Sequence, residues 1–398
     1  MEFYRNLFGF ATTGKQVTFF VIYLASVIFT FQSLLTAYNS STYLESFTAP
    51  HFVGLIFSAA AFLSIIAYIN LPKLLNRIGN TKATIAAMVT VCLCLTIVGL
   101  APNPTLTIVA FVIFNAISPL IYFNIDIYLE TLIGDDEGST GTKRGLILTL
   151  MSAAALMSPL AMGYIIGESD DLSRVYFVAA AVCLILVALL IARFRSFYDP
   201  IYKELKLTQL ISTWRADQNI KLVVAAQFLL QFFYAWAIIY IPLYLATAMD
   251  FSWDTIGLVI AAGLLAFVIF EYPIGILADK FWGEKEMMAI GFVLMSLSAA
   301  QIFYLDNTIW VWMIVMFVSR TGASLVEVTT ESYFFKMVKG HDSELISIFR
   351  LTRPLSILIG AMVGSLTLLW LPFTAMFLVL ALIMASGAFL ASRLVDTR

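Results

Sequence analysis

Eight ionisable side chains stand inside otherwise apolar stretches of this chain: Asp126, Glu130, Glu271, Arg320, Glu327, Glu331, Arg350 and Arg353. A charge near the middle of a hydrocarbon layer costs about 2.5–3.5 kcal/mol on insertion scales, so such residues face protein, water or a partner. Glu130 and Glu331 fall close to the ends of their stretches and carry less of that cost. Arg320, Glu327 and Glu331 follow one another by seven and then four residues, which puts them on one narrow stripe of a helix. Arg350 and Arg353 lie about one turn apart on another. A carboxylate in such surroundings can trade a cationic partner for a proton: desolvation favours its neutral form and a neighbouring arginine its ionised form. Proton coupling through Glu327 and Asp126 is therefore expected, with Arg320 tuning Glu327 or holding an anionic group of a solute. The competing reading makes these residues permanent salt bridges, and Arg350 and Arg353 suit that role as partners for glutamates.

Uncharged polar residues add a second set. Gln32, Thr36 and Asn39 recur at helical spacing, as do Gln227, Gln231 and Tyr234. Tyr122, Trp236 and Tyr240 could supply aromatic walls, and together these make a pocket for an amphipathic organic solute. The same stripes also serve as polar glue between helices.

Other chemistries find no support. Two histidines and three cysteines, with Cys92 and Cys94 on nearly opposite sides of a helix, suggest neither a metal site nor a disulfide. No phosphate-binding glycine loop, nucleophile elbow or dinucleotide fingerprint occurs, so no cofactor and no enzymatic activity are expected. A net charge of −2 gives nucleic acid no electrostatic hold.

The elements that carry these residues are helices. A span needs about 20 apolar residues to cross roughly 30 Å of hydrocarbon, and twelve candidates lie near 16–38, 51–71, 83–101, 105–131, 146–167, 173–192, 222–246, 255–277, 287–305, 308–335, 344–368 and 371–392. Hydrophobic residues make up 61% of the chain and charged residues 12%, which no ordinary water-soluble globule matches. With the N-terminus inside, every Lys and Arg outside the spans except Arg174 falls on the cytoplasmic links, so both ends are expected in the cytoplasm. The first span is too long for a signal-peptide core and is expected to be retained.

The longest polar link, 194–220, separates an N-terminal six-helix bundle (1–193) from a C-terminal one (221–398). Within the link, Asp199 before Pro200 suggests a capped helix start. Leu207, Leu210, Ile211 and Trp214 then predict an amphipathic helix on the cytoplasmic surface. One constant offset lays Ser118, Asp126 and Glu130 over Ser319, Glu327 and Glu331, and Thr149 over Arg350, which indicates a parallel repeat.

After the eighth span stands Gly275-Ile276-Leu277-Ala278-Asp279-Lys280-Phe281-Trp282-Gly283-Glu284-Lys285. It is similar to the Gly-x-Leu-Ala-Asp-Arg-x-Gly-Arg-Arg signature of the major facilitator superfamily, and the twelve spans, 6+6 repeat and inside termini resemble the same family. The first-half copy departs from it, with Pro72 at the glycine position and Asn76 at the aspartate. Met157-Ser158-Pro159-Leu160-Ala161-Met162-Gly163 is similar to the family's fifth-span antiporter motif, lacks two of its three glycines, and slightly favours export. The resemblance implies an all-α membrane protein whose first, fourth, seventh and tenth spans line a cavity. It also implies a gate motif at Gly275, Asp279, Lys280 and Gly283. Small residues (Gly54, Ser58 and Ala61; Ala153–Ala155 and Gly163; Gly257 and Ala261; Gly360 and Gly364) mark the helices that join the halves in that family.

The function expected is secondary active transport of a small organic solute by alternating access, coupled to protons, by a monomer in the cell (inner) membrane with the lipid bilayer as its surroundings. The alternatives are an ion-independent facilitator, and a non-transporting receptor or scaffold on the same fold.

Overall fold

A computed structural model describes residues 18–133, 137–194, 197–200, 202, 217–280, 283–337 and 343–395. Those residues form helices and no strand. In chain order they are α1 (Phe19–Ala37), α2 (Ser40–Glu45), α3 (Pro50–Ile78), α4 (Asn80–Leu100), α5 (Pro104–Ile133), α6 (Glu137–Ile166), α7 (Ser173–Arg193), α8 (Gln218–Thr247), α9 (Trp253–Lys280), α10 (Glu284–Ile302), α11 (Ile309–Met337), α12 (Ser343–Trp370) and α13 (Phe373–Ser392). All but the short α2 are long and apolar enough to cross a bilayer, twelve spans in all.

Local chemistry sets the ends. Gly79 adopts φ 83° between α3 and α4, a conformation only glycine takes without strain. Ala101 closes α4 in the left-handed region, just before the Pro102-Asn103-Pro104 break. At the start of α8 the Asp217 carboxylate accepts from the amides of Asn219 (2.7 Å) and Ile220 (3.3 Å), which satisfies orphan donors of the first turn. Pro72, Pro119, Pro159, Pro242, Pro273 and Pro354 all lie inside helices; spans tolerate this because neighbouring groups take up the freed backbone carbonyls.

Contacts divide the chain into two units, Met1–Ala37 with Leu63–Glu204, and Tyr38–Phe62 with Leu205–Arg398. In the first, α4 packs along α7 and α5, and α1 along α6 and α7. In the second, α11 packs against α9 and α10, α10 against α13, and α8 against α12. Residues 38–62 join the second unit through direct bonds and close approach. The Ser58 hydroxyl donates to the Leu358 carbonyl at 2.9 Å. A methyl group at Gly54 would collide with the Tyr240 hydroxyl, the Ala361 carbonyl and the Ser365 hydroxyl.

The start of the long link departs from expectation. Asp199 does not cap a helix beginning at Pro200; Pro200 and Tyr202 lie outside any helix. Its carboxylate instead accepts from the Asn80 amide at 2.7 Å and so caps α4. The Tyr202 hydroxyl donates to the same oxygen at 2.6 Å. Burial and the adjacent Asp199 push the Tyr202 phenol well above its usual range, so it stays a donor. Asn76 completes the clasp: its amide donates to the Tyr202 carbonyl (2.9 Å) while its carbonyl accepts from the Tyr202 amide (3.1 Å). The residue at the degraded motif's aspartate position thus holds the link. The amphipathic helix expected around 207–214 lies outside the described residues.

Candidate functional site

The second unit carries the best-defined arrangement of polar groups. The α11 stripe expected from spacing is present, and its members meet different neighbours. Glu327 is half-buried, and the Tyr234 hydroxyl of α8 donates to its Oε2 at 2.7 Å. The Tyr234 ring stands edge-on to Phe267, 6.0 Å between centroids. One turn further, Thr330 donates to the buried Gln227 carbonyl at 3.0 Å, so two side-chain bonds tie α8 to α11. Glu331 meets Arg350 of α12 at 3.4 Å, both well exposed. Arg353 is exposed one turn along, and its charge and that of Arg350 reach Glu327. Glu271, half-buried on α9, lies within electrostatic reach of Glu327 and Glu331.

Arg320 differs from all of these. It is 6% exposed, its Nη1 is enclosed without a hydrogen-bond partner, and it forms no ion pair among the described residues. Two helical turns separate it from Glu327, about 10 Å along the axis. Its guanidinium carbon lies 5.1 Å from the centroid of the Phe233 ring.

Trp236 and Tyr240, expected as aromatic walls, are fully buried and donate to the backbone carbonyls of Gly360 (2.7 Å) and Ala361 (2.6 Å) on α12. A buried indole N–H or phenol O–H needs an acceptor, so both spend their polar ends on helix packing rather than on an open wall. Gln231 is half-buried on α8. Asn39 is buried in the turn before α2. At the motif, Gly275 is half-buried and Gly283 starts α10 in an extended conformation, while the side chains of Asp279 and Lys280 lie outside the described residues. Next to it, Glu284 is 1% exposed, paired with Lys336 and accepting from the Ser332 hydroxyl at 3.3 Å.

In the first unit, Asp126 and Glu130 are exposed one turn apart on α5. Gln32 and Thr36 are buried on α1; the Gln32 carbonyl oxygen has no partner, and the Thr36 hydroxyl donates to the Ser33 carbonyl at 3.3 Å. Tyr122 is half-buried against Phe29, 4.5 Å between centroids. A cleft of about 390 Å³ lies in this unit at the Asn76–Asp199–Tyr202 clasp.

Spacing did not reveal Ser324, Phe233 or Glu284. Ser324 does stand four residues after Arg320, which a closer count along the stripe would have caught. Among the described residues, no group of His, Cys, Asp and Glu is arranged to hold a metal.

Comparison with known proteins finds a family match over the second half of the chain and similar folds over most of it. The Major Facilitator Superfamily matches residues 223–398. No curated protein matches the sequence. Similar folds include a POT family transporter solved in complex with a thioalcohol-conjugated peptide (12% identity, TM-score 0.78, 93% of this chain and 94% of that one). The D-xylose-proton symporter (13%, 0.75, 95% and 97%) and the nucleoside transporter NupG (13%, 0.70, 93% and 97%) are similar too.

Proposed function

We propose that the chain, whose residues 223–398 match the Major Facilitator Superfamily, is a secondary active transporter of that family moving a small organic solute across the membrane by alternating access, with Glu327 as the proton-coupling carboxylate. One observation carries this reading: the Tyr234 hydroxyl on Glu327 at 2.7 Å. A phenol donates to an ionised carboxylate and, by turning its hydroxyl, accepts from a protonated one. The same pair of oxygens therefore serves both states inside an apolar span, where an arginine in contact would hold the carboxylate ionised. Arg320 makes no such contact. Glu271 close by makes two simultaneous negative charges costly. Asp126, on the corresponding helix of the first half, is the second candidate for a coupling role. The D-xylose-proton symporter shows that a similar fold can carry proton coupling.

The test is solute flux into proteoliposomes under an imposed pH gradient, comparing the wild type with Glu327→Gln. The variant is expected to let solute equilibrate without accumulating it. Unchanged gradient-driven accumulation removes Glu327 from the coupling role. Wild-type flux indifferent to the gradient supports a facilitator instead.

A further inference from the structure

Arg320 is the charge that the coupling pair does not use. A guanidinium does not give up its proton under any working condition, so its positive charge stays inside the second unit. Among the described residues, the groups that act on its charge are the phenols of Tyr38 and Tyr234, side chains that are neutral at ordinary pH. Phe233 offers a ring face at 5.1 Å, which stabilises a cation but accepts no conventional hydrogen bond. Room has been made for the side chain: a methyl group at Gly263 would lie 3.2 Å from Arg320 Cγ.

Ser324 points the same way. Other hydroxyls of α11 are satisfied by the helix itself: Ser319 donates to the Met316 carbonyl, Thr321 to Phe317, Thr329 to Leu325 and Thr330 to Val326. Ser324 is fully buried and makes no such bond. It sits one turn from Arg320, on the same face, about 6 Å along the axis. Two enclosed donors, one of them charged, thus stand one helical turn apart with no acceptor among the described residues. Leaving a buried charged donor unmatched is among the costlier arrangements a fold can hold.

We propose that Arg320 and Ser324 form the subsite that receives a monocarboxylate group of the transported solute. This rests on the transporter reading and names its substrate class. The guanidinium fork takes both oxygens of a carboxylate, and the Ser324 hydroxyl donates to one of them. The charge count selects a monoanion. One negative charge balances Arg320, whereas a phosphate dianion would add to the negative charge that Glu271 and Glu327 already bring. The Phe233 ring beside the guanidinium favours an apolar body next to the carboxylate.

The experiment is thermal unfolding of the full chain in nanodiscs at fixed pH and ionic strength. The probes are acetate, phenylacetate and 3-phenylpropionate, each against its primary amide, with inorganic phosphate as a separate arm. At least one acid is expected to raise the Tm where its amide does not. Arg320→Gln should abolish that difference, and Arg320→Lys should keep part of it. Ser324→Ala should weaken acid binding by about fivefold, the worth of one hydrogen bond, and serves if Arg320→Gln does not fold. The proposal is overturned if no acid outperforms its amide, if both Arg320→Gln and Ser324→Ala leave the difference intact, or if phosphate stabilises more than every acid. Binding is read here without flux, so the two readings fail separately. Acid binding without proton-driven flux removes only the coupling role of Glu327; proton-driven flux without acid binding removes only this subsite.

Discussion

In the proposed coupling role, Tyr234 governs how Glu327 behaves, because its hydroxyl, 2.7 Å from Glu327 Oε2, can bond the carboxyl group in either protonation state. Tyr234→Phe removes that bond and leaves the ring. A hydrogen bond to a charged group contributes about 1.5–3 kcal/mol, and the ionised carboxylate loses more than the neutral acid does. The carboxyl group of the variant should therefore hold its proton to higher pH. The pH profile of gradient-driven flux is expected to move upward by about one to two units on the scale of 1.36 kcal/mol per unit; a profile that stays in place would show that Tyr234 does not set the coupling. Much at this scale was legible beforehand. The spacing of Arg320, Glu327 and Glu331 fixed a shared stripe, and helical spacing placed Tyr234 with Gln227 and Gln231. What spacing withheld was pairing. Whether a hydroxyl such as Ser324 bonds its own helix, or a cation such as Arg320 finds an anion, depends on neighbours far away in sequence. Trp236 and Tyr240 show the same limit: their side-chain types suit a pocket wall, yet the position of α12 turns them into packing donors.

At the scale of elements, close backbone approach organises the second unit. A methyl group at Gly322 would meet the Gly291 carbonyl at 2.7 Å and Leu294 Cβ at 2.9 Å, and one at Gly291 would meet the Gly322 carbonyl at 2.6 Å. Backbone thus lies against backbone where α10 crosses α11, the arrangement that small residues permit in membranes. Gly322→Val is expected to cost about 1–3 kcal/mol, since overpacking there forces backbone to move. Gly275→Ala has only Val328, at 4.0 Å, to meet, and should change stability by no more than about 0.5 kcal/mol. Thermal unfolding of both in one lipid system checks the contrast, and equal effects would contradict the account of the crossing. Composition located these helices well because an apolar window is a local property. It did not locate the Gly291–Gly322 crossing, and local pattern assigned Asp199 to the wrong helix. Sequence pattern pairs a cap acceptor with the residues immediately C-terminal to it, whereas Asp199 serves the first turn of α4, over a hundred residues earlier.

For the whole molecule, the twelve spans were legible because the hydrocarbon layer imposes one length on every span. The family match at 223–398 falls on the half that keeps the Gly275–Gly283 motif. The half with Pro72 and Asn76 in its place uses Asn76 to hold Tyr202 instead. The alternation of Lys and Arg makes orientation testable: single cysteines in a background lacking Cys92, Cys94 and Cys183 should react with an impermeant reagent from outside when placed at Asp170, and not at Lys143. The reverse would invert the topology. The central claim, that Glu327 gains and loses a proton during the working cycle, is met most directly by infrared difference spectroscopy of the protein in lipid across a pH step. A carboxylic C=O band that appears as pH falls, shifts in Tyr234→Phe and is absent in Glu327→Gln is the predicted result. A band unchanged by Glu327→Gln would contradict it.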